Sequence, residues 1–312
     1  MASPFLRDAP WRRFTDAQDG VLTATQALAS GISRAAVGMR LRRGEWRRLL
    51  RGAYLVDAEH HETPPARAWV RAAALTVPEG VLCGRSAAAV LGLGGGAGPD
   101  GHAVEVSVPA GRPVRAQRGL LIHQVGVPAE HTTVVDGMPV TSPLWTIGDL
   151  LLRLGRMEAV GVLDAALHDG HVRPGDLAEL EPLIAHRPGV VRARRRLEEC
   201  DGRAESPLET RVRLICVDGG VPPDSLQHPV LNCWGDPLGY GDLAWTGARL
   251  IAEADGRAAH DSLPAAYRDR HRANDFRAAG WTIVRFTWAD TQHPAYIVSV
   301  VRGALAAASK GR

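Results

Sequence analysis

The sequence has almost no lysine: of 37 basic residues only Lys310 is one, and the rest are arginine. The one glycine-rich run, Gly94–Gly101, has no Gly-Lys-Ser/Thr behind it. That excludes a phosphate loop and leaves a linker or surface turn. Cysteine is also scarce. Cys83, Cys200, Cys216 and Cys233 are scattered and form no Cys-x-x-Cys pair, so neither a zinc knuckle nor a disulfide framework is expected. No apolar run approaches a membrane span, and the first residues, MASPFLRDAPWRR, hold no apolar signal core. A cytoplasmic protein with no membrane partner is the expectation. The net charge of +3 says little about partners. What is present is a 45% hydrophobic content, enough for ordinary cores, over 312 residues, enough for two or three domains. Arginine and alanine are abundant, a pattern that fits a GC-rich genome as well as a functional demand.

The stretch Gly239–His260, GYGDLAWTGARLIAEADGRAAH, reads as a β-hairpin. Tyr240–Trp245 and Arg249–Ala254 are its strands, and Thr246-Gly247 is its turn. Pairing Trp245 with Ala248 sets Asp242 opposite Ile251. Strand alternation then puts Asp242, Glu253 and Asp255 on one face, with Asp242 and Glu253 in a diagonal relation roughly 7–8 Å apart. Two carboxylates ~5 Å apart at an effective dielectric of ~20 repel by about 3 kcal/mol. A cation relieves that cost, and hard oxygen ligands from two strands suit Mg²⁺. Such an ion activates water for attack on a phosphodiester. A plainer reading makes Asp255-Gly256 a strand-ending turn and the other two acids members of a solvated sheet edge.

The blocks ESPLET, GYGDLAW, IAEADGRAAH and DRHRANDFRAAGWTIVRFT, taken in that order, resemble the very-short-patch-repair-like endonuclease domains of the PD-(D/E)XK nuclease superfamily. The resemblance covers a little over a quarter of the chain. It implies that Asp242 and Glu253 hold Mg²⁺ (or Mn²⁺), that Glu205 or Glu209 at the first helix, with Glu209 favoured, completes the site, and that Asp255 orients the attacking water or takes a second ion. It also implies His260 as a general acid or base, in keeping with the titration range of histidine. The superfamily's lysine position holds Asp255 here.

In the N-terminal part, Thr23 caps a helix through Ser30, Gly31 turns, and Ser33 caps a second helix, Arg34 to about Arg43, ended by Gly44. Glu45–Val56 then alternates like a wing. This is a winged helix-turn-helix pattern. Arg34–Arg51 holds seven arginines against one acid, Glu45, a density suited to DNA phosphates. Arg34, Arg40, Arg43, Arg47 and Arg48 are the expected DNA contacts. Val37 and Leu41 are expected to face the core. The string VLTATQALASGISRAAVGMRLRRGEWRRLLRGAYLV resembles the N-terminal domain of abortive-infection type IV antitoxins, which are transcriptional repressors.

The middle reads as helices and short strands: PARAWVRAAALTV, SAAAVLGLG, VEVSVPA, LLIHQV, then an apolar helix begun by Ser142-Pro143 and further helices to about Arg203. This region resembles the body of the same antitoxin-like family, and the resemblance implies a scaffold. His123, His168 and His171 read as packing or surface residues. Ser206-Pro207-Leu208-Glu209 is a capping box at the start of the next helix. VLNCW is read as the first strand of the C-terminal part, ahead of the hairpin. Pro264–Ala279 is a helix ended by Gly280, with Asp269 and Arg272 at ion-pair spacing. WTIVRFTW is a strand. Arg285 within it is expected to face the acidic cluster, to pair with it or to bind phosphate.

The expected fold is therefore a multidomain α+β chain. Residues 1–60 form a winged helix-turn-helix, 61–200 an α/β scaffold and linker, and 201–312 a restriction-endonuclease-like α/β core. Two functions fit. One is a Mg²⁺-dependent DNA endonuclease directed by its winged helix. The alternative is an antitoxin-like transcriptional regulator carrying a degenerate nuclease fold, with a toxin or a second copy as partner. The absent lysine favours the second and the carboxylate trio the first.

Overall fold

The computed structural model describes residues 10–94, 103–256 and 263–310. It is a mixed α+β chain with three sheets among those residues. Compactness divides it into two units: Met1–Leu93, Ala97–Leu150 and Ala178–Ala185 in one, and Gly94–Gly96, Leu151–Leu177 and His186–Arg312 in the other.

The first unit begins with α1 (Arg12–Ala17), β1 (Val21–Thr23), α2 (Ala24–Ala29), α3 (Arg34–Arg43), β2 (Arg47–Leu50) and β3 (Ala53–Leu55). Thr23 and Gln26 form a full capping box on α2. Ser33 Oγ accepts the Ala36 N–H, and Gly44 closes α3 in the left-handed region at φ 76°. The strands form an antiparallel sheet in the order β1-β3-β2. Trp46 sits between Trp11 and Tyr54, with ring centroids 5.9 and 6.0 Å away. It is the hub of a core that includes Leu22, Ile32 and Val37. Leu41 packs at the edge of this core.

Next come α4 (Ala66–Thr76), β4 (Val81–Leu82), α5 (Gly84–Leu91), β5 (Val104–Ser107), β6 (Leu120–His123), β7 (Thr132–Val135), β8 (Met138–Thr141) and α6 (Pro143–Arg153). Their mixed sheet runs β6-β5-β4-β8-β7. Strands β4, β7 and β8 are additions to the expected elements. His123 is not a lone histidine: its Nε2 lies 2.8 Å from Glu105 Oε2.

After α7 (Arg156–His168) of the second unit the chain returns to the first for most of α8 (Leu177–Ile184); the second unit then takes α9 (Val190–Glu198), α10 (Pro207–Asp218), β9 (Ser225–Leu231), β10 (Pro237–Trp245), β11 (Leu250–Ala254), α11 (Leu263–Ala278), β12 (Thr282–Phe286) and α12 (Pro294–Lys310). Buried Asp164 of α7 accepts from Thr210 Oγ1 at 2.7 Å and Arg213 Nη2 at 2.8 Å, tying α7 to α10. The sheet runs β12-β11-β10-β9, antiparallel except for the parallel pair β11–β12. Residues of α10 and α12 pack on one sheet face around Trp245 and Phe286, and Phe276 of α11 packs on the other with Ile251.

Three expectations change here. Trp245 pairs with Leu250, not Ala248. The turn takes four residues because Arg249, at φ 48°, curls back with its N–H on Thr246 O. The slip is two residues, so every side chain keeps its face. Continued, it brings Asp242 directly opposite Glu253 rather than diagonal to it. Second, the first strand lies at Ser225–Leu231, because Asn232–Asp236 folds into a turn held by Asn232 Oδ1. Third, Pro294–Lys310 is a helix where no element was read. Strand β12 lies at the sheet edge, so Arg285 keeps access to solvent.

Candidate functional site

Two regions gather the residues singled out from the sequence. In the first unit, α3 and the β2–β3 hairpin expose Arg34, Arg42, Arg43, Arg47, Arg48 and Arg51. The expected contacts are not equivalent. Arg40 lies over the Trp46 ring at 5.5 Å and donates to Ala36 O, which makes it a packing residue first. Arg43 sits 3.6 Å from Glu45. Arg47 donates to the carbonyls of Glu62 and His61. Arg34 and Arg48 are exposed, and among the described residues no carboxylate pairs with them. The outward charge is therefore carried most directly by Arg34, Arg42, Arg48 and Arg51.

In the second unit, Glu209, Asp242, Glu253 and Asp255 line one cavity of about 430 Å³ with Arg272, Arg285 and Trp288. Each acid arrives on a different part of the fold. Glu209 stands in the first turn of α10, where its N–H donates to Ser206 Oγ at 3.2 Å. Its carboxylate does not return to the cap residue. Instead Oε2 accepts the Glu205 N–H and the Gln227 amide, each at 2.9 Å. Asp242 Oδ2 accepts the Ala254 N–H at 2.8 Å across the hairpin. Burial pushes the Asp242 carboxyl up to about 7, and the nearby charges of Glu209 and then Glu253 add to the shift. Glu253 is 4% exposed. Its Oε1 faces Arg272 Nη2 at 3.0 Å and its Oε2 faces Arg285 Nη2 at 2.9 Å. Asp255 lies just past the end of β11, its N–H on Phe286 O at 2.8 Å.

The structure thus brings together Glu209, Asp242, Glu253, Asp255 and Arg285. His260 lies outside the described residues, as does the side chain of Asp269. Arg272 turns to Glu253. Gln227 had no signal in the sequence: it sits within β9, yet holds φ at 47°, a costly conformation for a side chain in a strand. Arg272 and Arg285 bring guanidinium groups within 3.0 Å of the two oxygens of Glu253, although the buried Oε1 receives no aligned hydrogen bond. This donor set fits an internal cation better than a metal ion. Among the described residues, no group of three or more His, Cys, Asp or Glu side chains is placed to hold a metal.

No helix among the described residues is long and apolar enough to cross a membrane. Two curated proteins of Mycobacterium tuberculosis, uncharacterized proteins MT2308 and Rv2248, are each 34% identical to this chain over 172 residues, 55% of its length. The match spans 62% of each relative. The crystal structure of the RV2827C protein from Mycobacterium tuberculosis superposes with a TM-score of 0.45 at 16% identity, covering 74% of this chain and 85% of that one. Residues 12–56 match the family described as transcriptional regulator, AbiEi antitoxin, and residues 80–199 match the AbiEi antitoxin C-terminal domain. Both kinds of AbiEi antitoxin domain are therefore present in this chain.

Proposed function

We propose that this protein is an antitoxin-like, DNA-binding transcriptional regulator. Residues 1–60 act as a winged helix-turn-helix reader, 61–200 as the antitoxin-type body, and 201–312 as a restriction-endonuclease-like domain used for binding. DNA is the principal partner, with a cognate toxin or a second copy of the chain as the other. The observation that carries this reading is the outward set of arginines on α3 and its hairpin, within the segment that matches the regulator-type domain. A helix following a tight turn offers its exposed face to a groove, and the hairpin beside it reaches the phosphates. The test is binding to duplex DNA across a salt series. Arg34→Ala with Arg42→Ala should flatten the log–log salt dependence by about 1.8, two phosphates' worth. An unchanged slope removes this face from the interface.

A second reading rests on the shared cavity of Glu209, Asp242, Glu253 and Asp255: a metal-dependent endonuclease hydrolysing DNA phosphodiester bonds. There Mg²⁺ or Mn²⁺ would supply Lewis-acid chemistry at Asp242 and Glu253, and would have to displace Arg272 and Arg285 from Glu253. Plasmid incubated with Mg²⁺, Mn²⁺ or chelator separates the two readings. Binding without cutting under every condition is expected. Metal-dependent nicking that Asp242→Ala abolishes, with DNA affinity intact, would replace the regulator reading.

A further inference from the structure

A second basic surface lies beside the hairpin, and it is built from two separated parts of the chain. Arg48 and Arg51 belong to the β2–β3 hairpin, and Arg115 and Arg118 to the long connection between β5 and β6. All four line one open groove of about 430 Å³. All four are exposed, and among the described residues no carboxylate pairs with any of them. Their neighbour Arg112 differs: Glu79 neutralises it at 2.6 Å. The convergence is held in place. Gln117 Oε1 accepts the Arg51 N–H at 2.7 Å, which pins the connection to the tip of the hairpin. At its base the connection is fixed by the Val104 N–H on Gly119 O and the Val108 N–H on His123 O, both 2.9 Å.

We propose that this groove is a second phosphate-backbone clamp, through which the body beyond residue 60 grips the same DNA duplex that the N-terminal module reads. The inference rests on the DNA-binding reading and extends it to residues outside the regulator-type domain. Four like charges around one groove raise the local concentration of a polyanion. A duplex presents one charge per about 1.7 Å of axis, so a surface that continues from the hairpin onto a neighbouring loop meets successive phosphates. Two of the four arginines come from the hairpin itself, so the clamp continues the proposed interface. Phosphate contacts fix register and add affinity but carry no sequence information directly, so the clamp acts on all sequences alike.

The experiment uses the full chain and a labelled duplex of arbitrary sequence, titrated across a salt series. Arg115→Ala with Arg118→Ala should lower the salt slope by about 1.8 and weaken binding to all sequences alike. Arg115→Lys with Arg118→Lys should keep the slope, because the charge is retained. Arg112→Ala should change little. An unchanged slope in the alanine pair overturns the clamp. So does a variant that loses binding to polyglutamate but not to the duplex, which would assign the groove to an acidic protein segment. Arg34→Ala with Arg42→Ala keeps the two ideas apart. If that pair binds like wild type while the loop pair fails, the helix-centred reading falls and the clamp stands. The reverse result removes the clamp and leaves the reader.

Discussion

On α3 and the β2–β3 hairpin, Arg34, Arg42, Arg48 and Arg51 are exposed with no carboxylate paired to them among the described residues. In the second unit, Arg272 and Arg285 both reach Glu253, at 3.0 and 2.9 Å. The residue type is the same and the use is opposite. An exposed guanidinium costs little in water and keeps its charge available to a polyanion. A carboxylate at 4% exposure costs several kcal/mol unless a cation meets it. The arginines there complete the fold around a buried acid. The lesson is that counting arginines locates neither function. The carboxylates nearby decide it.

The largest test of this contrast is Glu253→Ala. It removes the acid that both guanidinium groups face. The expected loss is about 2–4 kcal/mol, below the full cost of breaking a buried pair because both arginines are partly exposed. Urea denaturation measures it, and Glu253→Gln should lose less. A gain in stability would instead mean that the acid is kept for chemistry at the expense of the fold, and would strengthen the endonuclease reading. The next effect is a pH dependence. The Asp242 carboxyl is raised from its ordinary value to about 7. Below about pH 4 it is protonated both folded and unfolded and contributes nothing. Between there and pH 7 the unfolded chain has lost the proton while the folded chain keeps it, so stability falls as pH rises, and it stays lower above 7. Asp242→Asn should therefore raise the melting temperature at pH 8 by roughly 2–4 °C per kcal/mol recovered, and hardly change it near pH 4. An equal rise at both values would attribute the effect to packing and not to charge.

Much of this was legible in the sequence, and the failures have physical causes. Helix ends were read well where a side chain does the capping, as Thr23 and Ser33 show. The β7–β8 hairpin was missed although Asp136-Gly137 is the expected two-residue turn, both residues at positive φ. The signal was there. Helix α12 has a weaker signal: Ile297-Val298 and Val300-Val301 are β-branched and disfavour a helix. Burial of Ile297 and Val301, one helical turn apart, overrides that preference. In the site, the face shared by Asp242, Glu253 and Asp255 followed from alternation, and so survived a register error of two. Arg285 meeting Glu253 followed from the cost of a lone charge. Gln227 did not follow from anything local, because its contact with Glu209 joins β9 to α10 over 18 residues of sequence. Nor did the Arg115 and Arg118 groove, which exists only once two segments fold together.

The smallest effect bears on how the outward arginines are held. Ser33 Oγ accepts the Ala36 N–H at 3.2 Å and so fixes the first turn of α3, which begins at Arg34. Ser33→Ala should cost about 1 kcal/mol of stability, an ordinary loss for a helix cap. It removes no charge. DNA affinity should fall less than tenfold, because the first turn frays part of the time, while the slope of affinity against salt stays that of wild type. Arg34→Ala should do the converse, leaving stability nearly unchanged and taking about 0.9 from the slope. Measured side by side, the two variants separate a residue that positions the helix from one that meets the phosphate. A slope lowered by Ser33→Ala would put the hydroxyl itself, or the amide it covers, against the DNA backbone.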